Sequence, residues 1–97
     1  MKELVITKED TKKLSLLFSH LSDLRLRTLL FLLYNNGASF QSTLVKKIGT
    51  EKVLETLELM EKWRLVERKS KTIYLTSLGK AVVEACINIL EVMKDET

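Results

Sequence analysis

Residues 39–63, SFQSTLVKKIGTEKVLETLELMEKW, run directly into residues 64–76, RLVERKSKTIYLT, and this stretch decides the fold. In its first part Phe40, Leu44, Val45 and Ile48 recur at helical spacing, and Ser39 is placed to cap them. Gly49 stops that short helix, because glycine reaches the left-handed backbone that helix ends favour. Thr50 suits the cap of a further helix from Glu51 to about Trp63, with Val53, Leu57, Met60 and Leu54 facing inward. The result is a helix, a tight turn and a second helix. Leu65-Val66 and Ile73-Tyr74-Leu75 then bracket the polar run Arg68-Lys69-Ser70-Lys71. Two short β-rich runs around a polar turn predict a hairpin.

Upstream, residues 3–7 suit a short strand or an extended arm. Thr7 followed by Asp10 has the form of a capping box, and a first helix is expected over 8–21. Its Leu14, Leu17, Phe18 and Leu21 fall on one face. Ser22 and Asp23 are both good caps for a second helix that reaches about Asn35. Leu26, Leu29, Leu30 and Leu33 form its main face, and Leu24, Phe31, Leu32 and Tyr34 widen it. A helix this apolar belongs at the centre of its domain. Downstream, Thr76 or Ser77 caps a last helix over 77–94. Leu78, Val82, Ala85, Ile89 and Val92 make one apolar stripe, and Val83, Cys86, Leu90 and Met93 a second. Only Glu84, Asn88, Glu91 and Lys94 leave a polar strip. One stripe can pack on the core of so small a protein, and the other calls for a second chain. A two-fold homodimer through Val82, Val83, Cys86, Ile87, Leu90 and Met93 is therefore expected.

A chain of 97 residues allows one domain, spanning 1–97. Folding a chain of this size buries roughly 65% of the surface the unfolded chain exposes, enough for a core without metals or disulfides. The single cysteine excludes an intramolecular disulfide framework, and the single histidine, His20, excludes a His-based zinc site. The longest apolar run, Leu29 to Tyr34, is six residues, far short of a membrane span. The first residues, MKELVITKEDTKK, are charged where a signal peptide is apolar. These features predict a soluble, cytoplasmic protein with no membrane partner. No phosphate-binding glycine loop, Ser/His/Asp set or pair of catalytic acids occurs at meaningful spacing. Neither an enzyme nor a cofactor or metal is expected.

The element order is that of a winged helix-turn-helix, and several motifs carry a family likeness. Leu21-Ser-Asp-Leu-Arg-Leu-Arg-Thr-Leu-Leu resembles the opening helix of ArsR-type regulators. Leu44-Val-Lys-Lys-Ile-Gly49 is similar to the first helix of their helix-turn-helix. Leu65-Val66 with Ile73-Tyr-Leu-Thr-Ser-Leu-Gly79 resembles the wing and following helix of MarR-type and related small archaeal regulators. The likeness covers about residues 21–85. It implies a mainly α fold with a small β-hairpin: a winged helix-turn-helix over 39–63 and 64–76, with a long C-terminal dimerisation helix. It also implies a homodimeric, sequence-specific regulator that binds double-stranded DNA.

Charge supports this. Between residues 62 and 80, Lys62, Arg64, Arg68, Lys69, Lys71 and Lys80 face one acid, Glu67, a net +5 where the whole chain carries +3. Cations over phosphates supply most non-specific affinity for DNA. The wing residues Arg64, Arg68, Lys69 and Lys71 are the expected phosphate contacts, with Ser39, Gln41 and Ser42 at the start of the third helix. The resemblance makes the fourth helix the recognition helix, with Thr50, Lys52, Glu55 and Thr56 at the bases. The chain departs from the family here, because Glu51, Glu55 and Glu58 are all acidic. Either this helix docks by its very N-terminus, or the wing does most of the binding, or the fold serves protein contacts instead. A non-specific architectural DNA protein is a further alternative.

Overall fold

The computed structural model describes residues 5–49 and 52–96. Helices form where caps and periodicity call for them. The hydroxyl of Thr7 accepts the Asp10 N–H at 3.1 Å, and the Asp10 carboxylate accepts the Thr7 N–H at 3.1 Å. This capping box opens α1, Lys8–Leu21. The Thr7 backbone N–H, and after it the Thr7 hydroxyl, hold the Asp10 carboxyl below its ordinary pKa, so the box is made at neutral pH and is lost in acid as Asp10 protonates. Asp23 caps α2, Leu24–Asn36, by accepting from the Arg25 N–H at 2.9 Å. Gly37 ends α2 with φ at 83°, its N–H on the Leu33 carbonyl at 2.8 Å.

The chain next runs extended as β1, Ala38–Phe40, into α3, Gln41–Ile48. Gly49, at φ 104°, closes α3. Beyond it come α4, Val53–Lys62, β2, Val66–Lys69, β3, Thr72–Leu75, and α5, Ser77–Asp95. Arg64, at φ 58°, turns the chain out of α4, and the Leu65 N–H reaches back to the Met60 carbonyl at 2.8 Å. Thr76 caps α5 by accepting the Gly79 N–H at 3.0 Å, while its own hydroxyl faces the carbonyls of Arg64 and Leu65.

The hairpin does not stand alone. Both β1 and β2 pair antiparallel with β3, giving a three-stranded sheet in the order β1-β3-β2. Ser39 lies opposite Ile73 in this ladder. It therefore does not cap α3; Phe40 holds that position and supplies no side-chain bond. The expectation for Ser39 is corrected because an open edge of β3 satisfies the backbone of 38–40 better than a lone serine cap does.

One core joins the elements. Leu26, Leu29, Leu30 and Leu33 of α2 meet Leu44 of α3 and Val53, Leu57 and Met60 of α4. Leu65, Val66, Ile73 and Leu75 close it from the sheet, and Val82 and Val83 from α5. The central place expected for α2 is thus realised. By contrast, α1 has no buried residue: Leu17 and Leu21 lean on the core, while Leu14 and Phe18 stay exposed. Its far end is pinned by an edge-to-face contact of His20 on Trp63, with ring centroids 4.9 Å apart. Phe40 and Leu54, expected inside, are also exposed. No helix among the described residues is long and apolar enough to cross a membrane.

Candidate nucleic-acid interface

The β1–β3 pairing brings the start of α3 against the hairpin turn. Phe40 lies opposite Thr72, and the Gln41 N–H donates to the Lys71 carbonyl at 3.1 Å. Between them lies a groove of about 570 Å³. Gln41, Ser42 and Lys46 of α3 line one side, and Arg68, Ser70 and Lys71 of the hairpin the other. All but Gln41 are exposed. The lining holds three cations and no acid, beside the N–H groups of a helix start. Such a concavity suits an anion, and phosphate above all. The apolar spacing of α3 already leaves Lys46, with Lys47, on the exposed side as cations able to attract DNA. Ser70 joins the site only through folding, and nothing local marks it.

Two of the hairpin cations have partners within the chain. Arg68 donates from Nε to Glu61 Oε1 of α4 at 2.8 Å. Lys69 lies with Nζ 5.9 Å from the centre of the Tyr74 ring. Arg64 and Lys80 stand apart from the groove: they line a separate concavity with Glu61 and Glu67.

The remaining expected contacts divide. Lys52 is exposed, with φ at 64°, and leads into α4. Glu55 is exposed and stands beside Leu54 and Glu58 on an acidic face of that helix. Thr56 is a correction. It is only 6% exposed and its hydroxyl donates to the Lys52 carbonyl at 2.7 Å, so it cannot reach a base. Ser39 is a second correction, since its register puts it on the core side of the sheet with Ile73. Thr50 lies outside the described residues.

Helix α5 divides at its middle. Val82 and Val83, expected in a seam between chains, are 8% and 0% exposed and fill their own core. They are withdrawn from any interface, because the first two turns of α5 are held against Leu65 and the sheet. Cys86 and Ile87 are half-buried, and Leu90 and Met93 are exposed with Ile89 and Val92. An apolar groove of about 290 Å³ lies between α1 and α5, lined by Leu14, Leu17, Phe18, Leu21 and Ile89 among others. A second, of about 580 Å³, lies between α2 and α5 and includes Phe31, Cys86 and Leu90. Ile89 and Cys86 form the ridge shared by both. No group of three or more His, Cys, Asp or Glu side chains among the described residues is arranged to hold a metal ion. No family model, curated protein or solved structure matches the chain.

Proposed function

We propose that this protein is a winged helix-turn-helix regulator that binds double-stranded DNA as a homodimer in the cytoplasm. The observation that carries the proposal is the groove between α3 and the hairpin, where Lys46 and Lys71 line a helix start together with Arg68, whose guanidinium is shared with Glu61. In this reading α3 is the first helix of the motif, α4 the second, and β2–β3 the wing. The order of elements and the motifs between residues 21 and 85 support it. Phosphates lie along Ser42, Lys46, Lys69 and Lys71, and Lys52, just before α4, and Glu55 within it are the side chains left to meet a base. Glutamate reads cytosine N4. The dimer places two such surfaces about one helical turn of DNA apart, near 34–36 Å.

The test is retention of random duplexes across a salt series, followed by sequencing. An enriched inverted repeat with a steep salt slope is expected. The triple variant Arg68→Ala, Lys69→Ala, Lys71→Ala should bind more weakly and lose about 0.9 of slope for each phosphate contact removed. An unchanged slope would sink the wing assignment.

Glu61 competes with DNA for Arg68. Glu61→Gln keeps the shape of the side chain and removes the charge that competes for the guanidinium. It should tighten duplex binding a few-fold at low salt and steepen the slope by about 0.9. Equal slopes for variant and parent would mean that Arg68 never meets a phosphate.

A second reading has its own support. The acidic face of α4, with Leu54 46% exposed among Glu55 and Glu58, suits a basic protein partner better than a phosphate. Failure of the parent protein to hold any duplex at low salt would favour that interaction module. Retention without enrichment would favour an architectural DNA protein.

A further inference from the structure

The sheet turns one face to the core and the other away from it. Alternation along the strands puts Val66, Arg68, Ile73, Leu75 and Ser39 on the inner side. On the outer side the register makes two rows. Lys69, Thr72 and Phe40 form one, and Glu67, Tyr74 and Ala38 the other. Two of the six aromatic residues of the chain therefore share an outer face only three strands wide. Phe40 is 60% exposed and Tyr74 40%. They are diagonal neighbours on adjacent strands, a spacing of roughly 7–8 Å.

The charges on this face are ordered. Lys69 has its ammonium over the Tyr74 ring, 5.9 Å from its centroid. Lys71 follows in the turn, and Phe40 directly precedes Gln41, which is bonded to Lys71. Phe40 thus adjoins the cationic groove. Glu67 stands at the other end of the face, opposite Tyr74, and repels phosphate there. The phosphates of a strand on this face are therefore drawn to the end that carries Lys69 and Lys71, leaving its bases to the rings.

Flat rings beside a cation bind the π-faces of nucleobases, with the backbone drawn to the lysines. In a duplex those faces are stacked on one another and only base edges are offered. A platform of rings therefore selects unpaired bases. We propose that the outer face of the sheet, Phe40 and Tyr74 flanked by Lys69, is a binding site for single-stranded nucleic acid, whose two rings lie outside the groove that meets duplex phosphates while Lys69 serves both. It goes beyond the duplex-binding reading and does not depend on it.

The experiment is fluorescence anisotropy of a labelled oligothymidylate of about a dozen nucleotides, a length that covers one small binding module. The full chain is titrated at low salt, in parallel with a labelled random duplex. Variants Phe40→Thr and Tyr74→Thr remove the rings and keep strand propensity; Tyr74→Phe keeps the ring. Each Thr variant should weaken oligothymidylate binding about tenfold, with Tyr74→Phe near the parent and duplex binding changed less than about twofold. Thermal melting of each variant checks that the fold is retained. The site is overturned if the double Thr variant binds oligothymidylate as the parent does, or if it loses duplex binding to the same extent. It is also overturned if the parent ignores oligothymidylate, as a face meant for a protein partner would. Binding of oligothymidylate without duplex binding would keep this site and reject the regulator reading; the reverse would do the opposite.

Discussion

Leu90→Glu combined with Met93→Glu is expected to leave a folded monomer that no longer holds duplex DNA at physiological salt. Both side chains are about half exposed, 48% and 57%, so neither change disturbs the core. In a dimer they would meet apolar groups of the second chain. A carboxylate buried there without a partner loses its hydration, which disfavours association by several kcal/mol. The consequence for DNA is larger than one contact. Two linked half-site readers act with an effective concentration near the millimolar range, so separating them lowers affinity by about 10²–10⁴-fold. Sedimentation at micromolar concentration checks the first step, and duplex retention the second. A parent protein that already sediments as a monomer would remove the two-half-site mechanism. A variant that stays dimeric would move the interface off the second half of α5.

Gly79→Ala should destabilise the protein severely, against what helix propensity alone suggests. Gly79 sits in the first turn of α5, where alanine is ordinarily worth about 1 kcal/mol more than glycine. Here a Cβ would overlap the Leu65 carbonyl oxygen and come within 2.9 Å of Leu75 Cδ2. The carbonyl cannot retreat. It accepts the Thr76 N–H at 3.1 Å and lies beside the Thr76 hydroxyl, which in turn caps the Gly79 N–H. Overpacking against fixed backbone costs about 3 kcal/mol, so steric overlap outweighs propensity. For a domain of this size that lowers the melting temperature by roughly 12–24 °C. A melting temperature equal to or above that of the parent would show that α5 can shift away from the sheet.

The contrast between propensity and packing at Gly79 runs through the whole chain. Elements governed by local forces were legible. The capping box at Thr7 and Asp10, the cap at Asp23, the stops at Gly37 and Gly49 and the cap at Thr76 are all formed by groups within four residues of one another. The apolar density of α2 also placed it correctly at the centre, since a helix with so little polar surface has no stable position elsewhere.

Residue roles that depend on distant partners were not legible. Ala38-Ser39-Phe40 carries no strand signal of its own and becomes a strand only because β3 has an open edge to receive it. That pairing moves Ser39 inward and Phe40 outward, reversing both expectations. Thr56 and Val82 lie where helical periodicity allows either surface or core, and the neighbouring helix and sheet decide. Arg68 reads as one more free cation until the fold brings Glu61 to 2.8 Å from it. Hydrogen bonds along a helix, and its apolar stripes, are set within a few residues. Which side of a helix is covered, which strand edge is taken and which charge finds a partner depend on segments far apart in the chain, and only the tertiary structure decides them.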